Sequence, residues 1–174
     1  MIVAFGGNLS GEYPSREALL DAAVERLSAE GIVVRRRSAW RRTTAWPDPA
    51  EPEYLNGVAI VETALGPEAL MARLLSVEAA FGRRRRPEDP PNAPRTLDLD
   101  LIAYGRLRLR GPGLVLPHPR AHERSFVMGP LAEIAAGWRH PATGETAAKM
   151  AARLREADPF SSWEKVAGAS ASAG

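Results

Sequence analysis

Residues 97–101 read Leu97-Asp98-Leu99-Asp100-Leu101, and only a strand turns so strict an alternation into two chemically distinct faces. Successive strand side chains point to opposite sides, so the leucines line one face and the two carboxylates the other. A helix would scatter both sets around its circumference. The chain must therefore build a sheet with an apolar face to cover, and the acidic face of this strand either lies in water or meets a ligand. Alternation alone fits a solvated face. Strands avoid aspartate, however, and Arg95 and Thr96 stand immediately before the pair. Two hard carboxylates about 7 Å apart on one face can hold one or two Mg2+ ions that also take polyphosphate oxygens, which favours a metal-binding role.

The remaining pattern supplies the layers such a strand needs. Residues 2–5 are an apolar run stopped by Gly6-Gly7, and Ser15 caps a helix with Leu19, Leu20, Ala23, Val24 and Leu27 inward, ended by Gly31. Residues 32–42 and 54–63 predict two strands. Pro47, Pro49 and Pro52 lie between them and force a loop, because proline cannot donate to a ladder. Pro67 opens a second helix with Leu70, Leu74, Val77 and Phe81 at helical spacing, stopped at Gly82. The charged, proline-rich stretch 83–94 loops into the strand at 97–104. Short strand pieces follow at 107–109 and 114–116, then a Pro117-His118-Pro119 turn, a helix opened by Pro130, and a last helix over 146–157. Strand, helix, strand, strand, helix, strand predicts an α+β fold of ferredoxin-like sandwich type, an antiparallel sheet with helices packed on it and an extra C-terminal helical region. One domain over residues 1–160 is expected. Residues 161–174, ending in Ala, Ser and Gly alone, are expected to form a flexible tail.

Charge narrows the function classes. Against 21 acidic residues stand 23 basic ones, a net charge of +2, so neither nucleic acid nor an anionic membrane is the expected partner. The basic residues are almost all arginine, the side chain suited to bidentate phosphate contacts. Arg83-Arg84-Arg85-Arg86 would by default be a solvated charge run, but it follows a helix and leads to Arg95 beside the aspartates. Cations and metal ligands meeting at one end of a domain suit a nucleoside triphosphate. Neither a Walker A spacing nor GxGxxG is present. Without cysteine there is no thiolate nucleophile, disulfide or cysteine-ligated metal. With no signal-peptide pattern and no apolar run of membrane-spanning length, a cytoplasmic protein is expected.

Four other features are conspicuous. His118 sits between two prolines, a setting that fits an inert surface residue and an aimed ring equally. His122-Glu123 resembles half of a zinc-protease motif, but the fifth position is Phe126. Asn56, inside an apolar strand, needs partners if buried, and a neighbouring backbone group would serve. Glu78 falls at the edge of the second helix's apolar stripe, as an ordinary boundary residue would.

Read as one string, Asn92-Ala93-Pro94-Arg95-Thr96-Leu97-Asp98-Leu99-Asp100-Leu101-Ile102 closely resembles the signature of the hydroxymethyl-dihydropterin pyrophosphokinases. The resemblance extends in order through Gly6-Gly7-Asn8-Leu9, Pro52-Glu53-Tyr54-Leu55-Asn56, residues 78–83, Leu116-Pro117-His118-Pro119-Arg120 and residues 123–126 to Pro130-Leu131-Ala132-Glu133-Ile134-Ala135. It implies transfer of the β,γ-pyrophosphoryl group of ATP to the hydroxymethyl oxygen of 6-hydroxymethyl-7,8-dihydropterin, releasing AMP, a step of folate biosynthesis. It further implies two Mg2+ ions on Asp98 and Asp100, with Arg83 and Arg95 as catalytic phosphate clamps. Glu78, Arg83, Arg85, Arg95, His118 and Arg124 would lie on the ATP side. Thr43, Trp46, Tyr54, Asn56 and Phe126 would form the pterin side, Asn56 reading its polar edge and Phe126 stacking on the ring. The loops after Thr43 and Gly82 resemble the family's mobile loops. Gly7 stands where the family usually has serine, Glu51 where glutamine is common and Asn92 where many members carry an aromatic residue. A monomer is the default, without nucleic-acid or membrane partners. An RNA-recognition module of the same fold class would need aromatic stacking platforms where this chain offers aspartates.

Overall fold

The apolar run at the start of the chain becomes β1 (Ile2–Gly7), buried along its whole length. The computed structural model describes residues 1–44, 50, 52–83, 93–157 and 164–165. α1 (Arg16–Ala29) begins where Ser15 Oγ accepts the Ala18 N–H at 3.1 Å. The chain turns away at Gly31, whose φ of +77° favours glycine. β2 (Val33–Arg37) and β3 (Arg41–Thr43) replace the continuous strand predicted over 32–42. The break has a packing cause. Ser38 exchanges two hydrogen bonds with Val58, donating its N–H to the carbonyl at 2.9 Å and accepting the Val58 N–H on Oγ at 3.0 Å. Trp40 then turns wholly into the core, edge-on to Phe5 at 5.7 Å, with its indole N–H on Asp21 Oδ1 at 2.9 Å. Gly57 makes this possible, since a Cβ there would stand 2.5 Å from the Trp40 ring.

β4 (Tyr54–Glu62) crosses the middle of the sheet, and α2 (Pro67–Ala80) starts at the proline and is capped by Phe81 before Gly82. The alternating run forms β5 (Asp98–Ala103), followed by a hairpin of β6 (Leu109–Gly111) and β7 (Leu114–Leu116). α3 (Ser125–Ala135) begins five residues before the predicted start and carries Pro130 inside it. One backbone bond is lost there, and burial of Val127, Met128 and Leu131 holds the helix together. α4 (Ala147–Ala157) and the short β8 (Glu164–Lys165) complete the described chain.

The sheet runs β5-β1-β4-β3-β8, with β2 pairing β4 alongside β3, and every pairing is antiparallel. β8, inside the expected tail, pairs with β3 through Lys165 and Glu164. On one face Val3, Phe5, Leu55, Ala59, Val61, Leu99 and Leu101 pack against leucines of α1 and α2. On the other, Ile2, Ala4, Val58 and Ile102 pack under α3 and α4. That second apolar layer ends at Ala4 and Val58. The next residues on the same face are Gly6, Asn56, Asp98 and Asp100, aligned by the register Gly6↔Asn56, Gly6↔Asp98 and Ala4↔Asp100. Half of one sheet face is thus core, and the other half is a polar patch. Among the described residues, no helix is long and apolar enough to cross a membrane.

Candidate active site

The patch is organised around the two carboxylates of β5. Their side chains are 28% and 33% exposed, open enough for a ligand yet held by arginines from three segments. Asp98 forms a close ion pair with Arg83 through Oδ1 and accepts Arg95 Nη1 on Oδ2 at 3.3 Å. Asp100 Oδ2 accepts Arg124 Nη1 at 3.2 Å, and the same guanidinium lies 5.7 Å from the centre of the Phe126 ring. The leucine side is buried as predicted, with Leu97 and Leu99 fully enclosed.

β5 is an edge strand, and an edge leaves outward N–H and C=O groups to satisfy. Glu78 meets one of them. Its Oε1 accepts the Leu99 N–H at 2.7 Å and Arg83 Nη1 at 3.1 Å, while Arg83 also donates to the Leu97 carbonyl at 3.2 Å. Glu78 is 2% exposed, so it is a buried brace rather than a boundary residue. Further along the same edge, the His118 N–H donates to the Ile102 carbonyl at 2.9 Å. His118 Nδ1 accepts the Arg120 N–H at 3.2 Å, which places the ring proton on Nε2. Burial, with Arg124 and Arg120 adding, holds this histidine below its ordinary pKa against the opposing pull of Asp100. It is therefore a neutral N–H donor at pH 7.

Arg95 spreads its fork between two partners, Nη1 on Asp98 and Nη2 on Tyr54 Oη at 3.3 Å. Burial works against its charge, but Tyr54, Asp98 and Asp100 outweigh that and raise its pKa. Asn56 is buried, and its amide donates to Thr43 Oγ1 at 2.8 Å instead of to a neighbouring backbone group. Thr43 stands opposite Tyr54 in the ladder, so these three residues line one side of the patch. The structure thus gathers Arg83, Arg95, Asp98, Asp100, Arg124, Phe126, Tyr54, Asn56 and Thr43, with Glu78 and His118 bracing the edge. Arg85 and Trp46 lie outside the described residues. Asn8, 3% exposed and bonded to the backbone of Arg95, is a residue for which the sequence suggested no task.

The donor set fits a hard cation. Among the described residues no three metal-ligating side chains cluster, so an ion on Asp98 and Asp100 would complete its shell with water and phosphate oxygens. Mg2+ does this in nucleotide sites. Two carboxylates among three guanidinium groups, on the open half of an α+β sandwich, define a phosphoryl-transfer class of protein. Residues 2–136 match the family described as 7,8-dihydro-6-hydroxymethylpterin-pyrophosphokinase (HPPK), and the chain belongs to that family. It is a pyrophosphokinase of folate biosynthesis, passing the pyrophosphoryl group of ATP to hydroxymethyldihydropterin.

A 2-amino-4-hydroxy-6-hydroxymethyldihydropteridine pyrophosphokinase of Synechocystis sp. is 41% identical over 145 residues, covering 83% of this chain and 71% of the relative. Its namesake in Pseudomonas aeruginosa is 35% identical over 167 residues and covers 96% of both chains. A solved HPPK-DHPS in complex with substrates aligns with 90% of this chain and 43% of its own, at a TM-score of 0.65 and 11% identity, a likeness of fold.

Proposed function

We propose that pyrophosphoryl transfer takes place on the polar half of the sheet face, with Asp98 and Asp100 as the metal-holding pair. The observation that carries this reading is their juxtaposition on one strand face with Arg83, Arg95 and Arg124 on their oxygens. Two Mg2+ ions bound there would neutralise phosphate charge and polarise the transferring group. Arg83 and Arg95 then exchange carboxylate oxygens for phosphate oxygens, and Arg124 and the Nε2–H of His118 donate to the same triphosphate. Arg85 is assigned to this side as well.

On the acceptor side, Asn56 offers an amide and Thr43 a hydroxyl to the polar edge of the pterin, while Tyr54, Phe126 and Trp46 bound its ring faces. The hydroxymethyl oxygen attacks the β-phosphorus, the bond from that phosphorus to the oxygen bridging the α-phosphate breaks with its electron pair leaving on AMP, and the hydroxyl proton passes to solvent water. No described side chain is committed to general-base work here. Positioning and charge neutralisation carry the acceleration. Glu78 keeps Arg83 and the edge of β5 in place. The test is AMP release measured with ATP, Mg2+ and the hydroxymethyl pterin, each omitted in turn. AMP that forms only with all three supports the reading. Equal AMP without the pterin, or without a divalent ion, overturns it.

A further inference from the structure

We propose that Asn8 is the positioning residue for Arg95, an inference resting on the reading of Arg95 as a phosphate clamp. Arg95 lies in residues 93–96, just before β5, where no ladder fixes the backbone. Asn8 supplies what a ladder would. Its Oδ1 accepts the Arg95 N–H at 2.8 Å, and the N–H groups of Asn8 and Leu9 both donate to the Arg95 carbonyl at 3.0 and 3.2 Å. Both backbone polar groups of the clamp are thereby held by the end of β1. The Asn8 amide also reaches the Pro52 carbonyl in a longer bond of 3.4 Å, two residues before Tyr54. Tyr54 is the residue whose hydroxyl takes the other end of the Arg95 fork. One buried amide therefore ties down the base of Arg95 and the segment that leads to its side-chain partner.

Gly7 is part of the same device. A Cβ at that position would stand 2.2 Å from the Thr96 carbonyl oxygen, so in this chain the glycine accommodates the close approach of residue 96. A guanidinium released from this clamp would still carry its charge but would lose its aim. Misplacement on the scale of 1 Å costs about 100-fold in a reaction that depends on positioning.

The test is a double-mutant cycle in kcat with Asn8→Ala, Arg95→Ala and both together, with melting temperature and ATP Kd for each variant. Asn8→Ala should lower kcat roughly 10- to 100-fold in the parent and less than about 3-fold in the Arg95→Ala background. The same fold-loss in both backgrounds, or parental kcat in folded Asn8→Ala, overturns the inference. Parental kcat in Arg95→Ala alone has a different meaning. It removes the clamp reading itself, and this inference with it. If Asn8→Ala does not fold, Asn8→Asp keeps the acceptor for the Arg95 N–H but loses the donor to the Pro52 carbonyl, so its kcat should fall between the parental value and that of Arg95→Ala. A folded Asn8→Asp as slow as Arg95→Ala would overturn the proposal equally.

Discussion

Glu78 is the most informative single substitution outside the carboxylate pair, because Ala and Gln at this position separate its two duties. Glu78→Ala orphans the Leu99 N–H on the buried edge of β5, at about 1–3 kcal/mol. It also removes one buried methylene, at about 0.8 kcal/mol. Arg83 is not stranded, since Asp98 and the Leu97 carbonyl still hold it, so the larger penalty for a lone buried charge does not apply. The sum is about 2–4 kcal/mol, a large share of a typical domain stability of about 5–15 kcal/mol. Glu78→Gln keeps an acceptor for Leu99 and loses only the charge toward Arg83, which should cost about 1–2 kcal/mol. Urea unfolding read by fluorescence gives both numbers, and turnover measured alongside should fall in the folded Gln variant as Arg83 loses its brace. Equal costs for the two variants would refute the edge-capping argument. So would an Ala variant within about 0.5 kcal/mol of the parent, the level of a surface site.

Three further outcomes follow from the same geometry. Arg95→Lys keeps the charge but cannot span Asp98 and Tyr54, so turnover should fall sharply at nearly unchanged melting temperature; near-parental turnover would make Arg95 a mere point charge. Asn56→Ala should weaken pterin binding by about 1–3 kcal/mol and leave ATP binding nearly intact by calorimetry, and a selective loss of ATP binding would invert the two assignments. Burial first, and then the neighbouring His122, lower the pKa of His140 against the pull of Glu145. Its Nδ1 already accepts two backbone N–H groups, from Ala142 and Thr143. The folded state therefore binds this proton less readily than the unfolded chain. Its contribution to stability is complete above the unfolded value of about 6.5 and is lost as pH falls through the lower folded value. Urea midpoints from pH 7.5 to 5 should show a decline that flattens in His140→Asn; identical slopes would contradict it.

The elements that announced themselves in the sequence are those whose signals are local. Ser15, Pro67, Gly31 and Gly82 bound α1 and α2 through caps and backbone preferences that need no distant partner. The alternation of 97–101 fixed which face of β5 is buried. What stayed illegible depends on contacts far apart in the chain. The break between β2 and β3 comes from Ser38 and Trp40 meeting Val58 and the space at Gly57, about twenty residues on. Glu78 looked like a helix boundary because its partners, Leu99 and Arg83, arrive from beyond the helix. The aspartate pair, Arg83 and Arg95 could be nominated from residue type and spacing and Arg124 only through the family resemblance, whereas the task of Asn8 appears only once the residues after β1 lie beside Arg95.

The central claim is that Asp98 and Asp100 hold the metal on which transfer depends. It is tested most directly by measuring turnover of Asp98→Asn and Asp100→Asn across a magnesium titration, with a melting curve for each. Each substitution preserves shape, and the Asp100 pair with Arg124 is partly exposed, so Asp100→Asn should shift stability by no more than about 1 kcal/mol. Activity should respond on another scale. Turnover at ordinary magnesium should fall by more than the roughly 10- to 100-fold typical of changes around a metal ligand, with magnesium-dependent ATP binding falling in parallel. Both variants turning over at the parental rate, with an unchanged magnesium midpoint, would contradict the account.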